Sequence, residues 1–520
     1  MKGTYDHSLF LTPTNDEEVT KILLELKNSS PGYDGISIKV LKSTRDIIIP
    51  LLVHIINTSL QTGIFPDNLK IANIIPLFKA GKANLFTNYR PVSLLTAVSK
   101  VFEKVFYIRL YRFLMKYNIL YDFQFGFRKD HSTALALLTL LDKVITSIEN
   151  NEISVGIFLD FSKAFDTVNH DILIDKLHFY GVRGVPLLWI RSYLTERQQF
   201  TTYNGVSSAK QHISCGVPQG SILGPLLFLI YVNDLAYVSQ KMFTLMFADD
   251  TSCFMSGKDI DTVVSSLNIE LQEIVVWLKA NRLSLNIAKT HYIIFSSKRK
   301  NVTPSHDIHI EGNSIVQVNS CKFLGVMIDG KLSWQNHIDY IKQKIAKVTG
   351  VLYRARSRLS TEHLIKLYNA LVIPYLYYCN IIWSVANVTV LNPLSRMQKQ
   401  AIRCICFIQR RTSTDTYFKK LALLKLDEIA IYARAMFMYK YYNNKLPSLF
   451  NAFYNTNCNI HLHQTRQCNM YHLPPCKSEL SKRFIKYTGA VTWNQISTIF
   501  DVNVKPSTFK KHLKTFILKK

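Results

Sequence analysis

The sequence predicts an α/β fold organised around a central sheet. Three observations predict it. Residues 153–294 alternate apolar strand-like runs with helical patterns. The run 153–159 leads directly to Asp160, and the run 243–247 leads through Ala248 to Asp249 and Asp250. Beyond Trp334 the pattern becomes helical, over 338–356, 361–378 and 391–408.

Residues 14–27 predict a helix, with Asn15, Asp16, Glu17 and Glu18 at its start and Ile22, Leu23, Leu24 and Leu26 giving an apolar face. A turn follows at Ser30-Pro31-Gly32-Tyr33-Asp34-Gly35, then an apolar helix over 47–62 ending at Gly63. Residues 73–78 form a strand and Lys79-Ala80-Gly81-Lys82 a basic turn. A basic amphipathic helix over 99–117 packs Phe102, Val105, Phe106, Leu110, Phe113 and Leu114. Longer helices are expected at 133–149 and 260–278. Residues 443–477, rich in Asn and His, are expected to be irregular, and a basic helix over 506–520 closes the chain.

At 520 residues, two to four domains are expected. Lys and Arg number 63 against 36 Asp and Glu, a net charge of +27. Such an excess calls for a polyanion, nucleic acid first and an anionic membrane surface second. The last 120 residues hold 20 Lys and Arg against 5 Asp and Glu, so the charge climbs toward the C-terminus. Nine cysteines lack framework spacing, which argues for reduced thiols in the cytoplasm or nucleus. The first residues carry no secretory pattern, and no apolar run reaches the roughly 18 residues a bilayer requires. A soluble intracellular protein without membrane partners is therefore expected.

Four constellations carry chemistry. Asp160 ends one apolar strand, and Phe247-Ala248-Asp249-Asp250 reads as strand, tight turn and strand with two adjacent carboxylates. Three acids delivered by strand ends can hold two divalent metals for in-line phosphoryl transfer. Phe165, five residues beyond Asp160, could stand under a nucleotide sugar and clash with a 2′-OH; a core phenylalanine is the plain alternative. In Cys215-Gly216-Val217-Pro218-Gln219-Gly220-Ser221, a Pro-Gln-Gly turn opens an apolar helix whose backbone N–H groups can face a phosphate or sugar. Lys79 and Arg90, ahead of the acids, could clamp a triphosphate, or serve as ordinary surface cations. Lys289 could donate a proton to a leaving pyrophosphate; a solvated lysine after a strand is the alternative.

In this order along one chain, the constellations resemble the reverse transcriptases of non-LTR (LINE-type) retrotransposons, close to the Jockey and CR1 groups. Ser30–Ile36 looks like the N-terminal extension motif of that family. Tyr89-Arg90-Pro91-Val92-Ser93-Leu94 and Gln124-Phe125-Gly126-Phe127-Arg128 through His131-Ser132-Thr133 look like its fingers motifs. Asp160 matches its first catalytic aspartate, Phe165 its sugar gate, Gln219-Gly220 its template–nucleotide contact, and the Asp249-Asp250 box its metal site. Lys289 matches the lysine of the next motif, Phe323-Leu324-Gly325 the primer-gripping hairpin, and Leu367-Tyr368 through Pro374-Tyr375 and Trp383 the thumb.

The resemblance implies a right-hand polymerase: an N-terminal extension (1–65), fingers and palm (66–330), a helical thumb (331–420) and a basic, mostly helical C-terminal region (421–520). It implies catalytic Asp160, Asp249, Asp250 and Lys289, and nucleotide contacts at Lys79, Arg90, Phe161, Phe165, Gln219 and Gly220. The implied metal set is Asp160, Phe161, Asp249 and Asp250 around two Mg²⁺ ions, with Mn²⁺ as substitute. Implied partners are an RNA template, a DNA primer or target DNA, and dNTP; oligomeric state is left open. Many relatives carry an endonuclease ahead of the polymerase, so this chain reads as a truncated or partial copy. Ala80 stands where the family often has Pro. Cys458, Cys468, His472 and Cys476 raise zinc binding, but without a CxxC pair scattered loop residues are expected. Rival functions are an idle nucleic-acid-binding remnant and an intron-type maturase; the thumb and C-terminal strings argue against the maturase.

Overall fold

The computed structural model describes residues 5–460 and 467–519. The stretch expected to be irregular at 443–477 includes 461–466, which lie outside the described residues, as do 1–4 and Lys520. The strands in chain order are β1 (Ile71–Phe78), β2 (Tyr89–Leu94), β3 (Ile153–Leu159), β4 (Gln198–Tyr203), β5 (Val206–Ser207), β6 (Gln211–His212), β7 (Phe243–Phe247), β8 (Asp250–Gly257), β9 (His291–Phe295), β10 (His309–Ile310), β11 (Asn313–Ser314), β12 (Val316–Gln317), β13 (Ser320–Phe323) and β14 (Val326–Asp329).

The central sheet has the order β12-β9-β3-β8-β7. β3 pairs antiparallel with β8 on one side and β9 on the other. Every residue of β3 is buried. Its alternation divides the protein interior into two cores. Ile153, Val155, Ile157 and Leu159 join one with the N-terminal helices and the helix Ala97–Lys116. Phe158 joins the other with the helix Thr133–Glu149, the β13–β14 hairpin and the helices beyond Trp334. The C-terminal helices Leu426–Tyr442, Ile485–Ile496 and Pro506–Lys519 share that second core. A separate sheet runs β2-β1-β4-β5, with β6 also on β4. The sequence signals for β4 to β6 are weak, because most of their residues are polar and none is fully buried.

The N-terminal helix is Asp16–Glu25, where the Asn15 side chain accepts from Glu18 N and three acids complement the helix dipole. The expected single helix over 361–378 is corrected. It is two helices, Thr361–Leu371 and Ile373–Tyr377, because Pro374 has no N–H and its ring crowds the preceding turn. Among the described residues no helix is long and apolar enough to cross a membrane.

Candidate active site

The β7–β8 hairpin places the acids. Phe247 pairs with Asp250, leaving Ala248 and Asp249 as a two-residue turn. The sequence put both acids in the turn; the structure makes Asp250 the first residue of β8. The β3–β8 register pairs Leu159 with Thr251, so the next residues along, Asp160 and Asp250, lie side by side at one sheet end. Three carboxylates from two chain segments thus meet there. Their fields register on one another. Crowding by protein, then the charges of Asp249 and Asp160, pushes Asp250 up to about 6, although the residue keeps solvent-exposed surface. Burial also raises Asp249, with Arg90 and Lys79 opposing and Asp160 adding to the rise.

A pH dependence follows. The Asp250 carboxyl holds its proton more tightly folded than unfolded. Its contribution to stability is therefore full below its usual 3.8 and lost as pH rises through about 6. Asp250→Asn should melt above wild type at pH 8 in chelator, with the gap closing near pH 4. Equal melting temperatures at pH 8 would contradict the assigned crowding.

Ala248 occupies the left-handed region at φ +57, and its neighbours hold it there. The Gln124 side-chain oxygen accepts from Ala248 N at 2.9 Å and from Gly126 N at 2.8 Å. Phe125 N donates to Met246 O, and Met246 N to Phe123 O, at 2.8 and 3.0 Å. Residues 123–126 thus line β7 and clamp the acid turn. The resemblance offered Gln124 only as part of a fingers motif, and its positioning role was missed. Gln124→Met strips two buried N–H groups of their acceptor. It should lower stability by about 1–3 kcal/mol in chemical denaturation.

Asp160 is fixed from the other side. Asn286 N donates to its carbonyl at 2.7 Å, and its own N–H lies 3.4 Å from Thr290 Oγ1. The same loop carries Lys289, whose Nζ is 3.9 Å from Asp160 Oδ2. Lys289 stands in a short turn ahead of β9, not after a strand. Phe161 is 8% exposed, its ring in the core, so a role toward nucleotide or metal falls to its main chain.

Lys79 and Arg90 come together at the loop end of the β1–β2 hairpin, where Lys79 N donates to Asn88 O at 2.8 Å and Leu77 pairs with Arg90. Both residues are exposed. Phe165 stacks on Phe228 at 4.4 Å between ring centroids. Gln219 Nε2 donates to Asp166 Oδ1 at 2.8 Å. Gly220 (φ +128) is pressed on β2: a Cβ there would lie 2.5 Å from Ser93 O. Beneath this turn, buried Glu103 accepts from Ile222 N (2.6 Å), Leu223 N (3.1 Å) and Ser99 Oγ (3.1 Å). Burial raises its carboxyl, chiefly against the pull of Arg197. Glu103 escaped the sequence reading, though an acid on the stripe of Phe106 and Leu110 was a usable signal.

Phe323 pairs with Val326, leaving Leu324 (φ +44) and Gly325 (φ +80) as the turn of the β13–β14 hairpin. Both larger side chains are buried; Phe323 lies 5.1 Å from Phe158, the residue two before Asp160. Tyr378 Oη donates to Leu324 O at 2.7 Å, tying the hairpin to the helical region. What the turn of the hairpin can present is therefore main chain.

The carboxylates supply the oxygen donors that hard divalent cations take, and a cation would relieve the repulsion that raises Asp250. Among the described residues no three His, Cys, Asp or Glu side chains stand ready as a metal-ligand group. The Lys289 ammonium, 3.9 Å from Asp160 Oδ2, is the cation that faces this carboxylate. Cys458 N donates to Cys468 O at 3.0 Å, joining the two ends of the stretch that flanks 461–466.

Residues 79–328 match the family model described as reverse transcriptase (RNA-dependent DNA polymerase). The chain therefore carries a reverse transcriptase domain, and the acid-bearing hairpin lies within it. The relatives it resembles are RNA-directed DNA polymerases of mobile elements. The RNA-directed DNA polymerase from mobile element jockey of Drosophila melanogaster is 29% identical over 78% of this chain and 45% of its own length. The probable RNA-directed DNA polymerase from transposon BS of that organism is 30% identical over 81% and 48%. The probable polymerase from transposon X-element, same organism, is 27% identical over 81% and 47%. The chain spans about half the length of these relatives.

Proposed function

We propose that this chain is an RNA-directed DNA polymerase, adding dNTP to a primer 3′-OH along an RNA template. The convergence of Asp160, Asp249 and Asp250 at one sheet end carries this reading. The electrostatic reach of Lys79 and Arg90 to Asp249 supports it. Two Mg²⁺ ions, or Mn²⁺, bound by the three aspartates would supply Lewis acidity toward the primer hydroxyl and the leaving pyrophosphate.

The chain's own groups do the rest. Lys79 and Arg90 bind the triphosphate and offset its charge. Phe165 excludes a 2′-OH, and Gln219 with Gly220 contacts the template–nucleotide pair. Lys289 holds Asp160 until a nucleotide arrives, then delivers a proton to the pyrophosphate oxygen. The β13–β14 hairpin offers its main chain to the primer. In this reading residues 1–65 extend the fingers, 66–330 form fingers and palm, 331–420 the thumb and 421–520 a basic region for RNA or hybrid phosphates. The setting is intracellular, cytoplasmic or nuclear.

The test is extension of oligo(dT) on poly(rA) with dTTP and Mg²⁺ by the purified chain. Salt-sensitive binding without extension in either Mg²⁺ or Mn²⁺ would replace this reading with that of an idle nucleic-acid-binding remnant.

A further inference from the structure

The ring of Phe127 is an exposed aromatic next to Phe165 that the proposed mechanism leaves unused. It is 53% exposed, whereas Phe125, two residues earlier, is 1% exposed. An extended segment would put both rings on one face. The backbone at Phe127 instead turns left-handed, at φ +53, and throws the ring out of the core. A bulky side chain rarely adopts that conformation, and such conformations persist where the surroundings impose them, often at ligand sites.

The surroundings here are specific. Gly126, the preceding residue, lies against the backbone of Ala248 in the acid turn. On the other side, Arg128 Nη1 donates to Tyr121 O at 2.7 Å, and Lys129 N donates to Tyr111 Oη at 3.1 Å. The chain on both sides of Phe127 is therefore held. The ring meets Phe165 edge to face, at 6.1 Å between centroids and an interplanar angle of 90°. Phe165 is itself backed by Phe228. A water-facing phenyl group thus stands between the acid turn and the proposed sugar gate.

We propose that Phe127 is a second sugar-selecting residue: with Phe165 it forms an apolar corner that receives the deoxyribose of the incoming nucleotide and leaves no polar partner for a 2′-OH. This inference rests on the reading of Phe165 as sugar gate. A corner made of two rings discriminates by shape and by the desolvation of an unpaired hydroxyl. Phe127 touches the sugar and not the reacting phosphate, so its loss should appear in binding and selectivity.

Single-nucleotide incorporation of dTTP and UTP on poly(rA)/oligo(dT) tests this with Phe127→Ala, Phe127→Tyr, Phe165→Ala and the double alanine variant, each checked for an unchanged melting profile. Phe127→Ala should raise KM for dTTP and cut the preference for dTTP over UTP by about ten-fold, the scale of one apolar pocket contact, with kcat little altered. Phe127→Tyr should restore both. The double variant should lose little more selectivity than Phe165→Ala alone, since the two rings act as one corner. If Phe165→Ala loses selectivity while Phe127→Ala keeps both selectivity and KM, Phe127 is not part of the corner and the gate stands. If Phe165→Ala retains full selectivity, the gate reading fails and this inference falls with it. A wild-type chain that extends no primer ends both.

Discussion

Asp160→Asn should abolish primer extension while leaving the fold intact. The expected loss is about a thousand-fold or more, because removing one preorganised electrostatic group at a reacting centre already costs ~10²–10³. The stability side is equally definite. The side chain is 44% exposed, and its ion pair with Lys289 spans 3.9 Å between two exposed groups. Such a pair contributes ~0–1 kcal/mol. Loss of the Asp160 charge also removes one of the like charges that raise Asp250. The melting temperature should therefore stay near that of wild type. The Asp160 main-chain contacts to Asn286 and Thr290 do not involve the carboxylate and survive the change. A folded Asp160→Asn enzyme that extends oligo(dT) at the wild-type rate would remove the basis of the proposed chemistry.

Gly126→Ala should be nearly as severe, by a different route. A Cβ on Gly126 would lie 2.3 Å from Ala248 N and 3.0 Å from Ala248 Cα. Those are backbone atoms, so no rotamer change relieves the clash. Either residues 123–126 lift off β7 or the acid turn moves. Overpacking of this kind costs about 1–3 kcal/mol. The catalytic cost is larger, since a displacement of about 1 Å at a reacting centre can cost ~10²-fold in rate. Activity should fall by that order at temperatures where circular dichroism still reports a folded chain. Nearly full activity in folded Gly126→Ala would show that the turn does not depend on this contact.

The strand-end acids and the Pro-Gln-Gly turn could be placed because each pairs a chemical group with a local signal. Asp160 follows an apolar strand, the Asp249-Asp250 pair interrupts two apolar runs, and Pro218-Gln219-Gly220 opens an apolar helix. Local periodicity also located the helices at 133–149 and 260–278, observed as Thr133–Glu149 and Ile260–Ala280. It erred at Pro374, where an apolar pattern continued through a residue that cannot donate its backbone hydrogen bond. Strands β4 to β6 stayed hidden because their pairing is with distant β1 or with one another, and their side chains carry no apolar alternation.

Strand-end acids, basic excess and motif order were set by the sequence alone, since each depends only on residue identity and near neighbours. Only the tertiary structure decided that Asp160 stands beside Asp250, because strand register is fixed by packing on both faces of β3 across about ninety residues of chain. It likewise decided that Gln124 clamps the acid turn, that Glu103 caps the start of the apolar helix, and that Phe127 faces outward. Those roles belong to contacts between segments far apart in sequence, where burial and hydrogen-bond satisfaction, not local propensity, choose the partner.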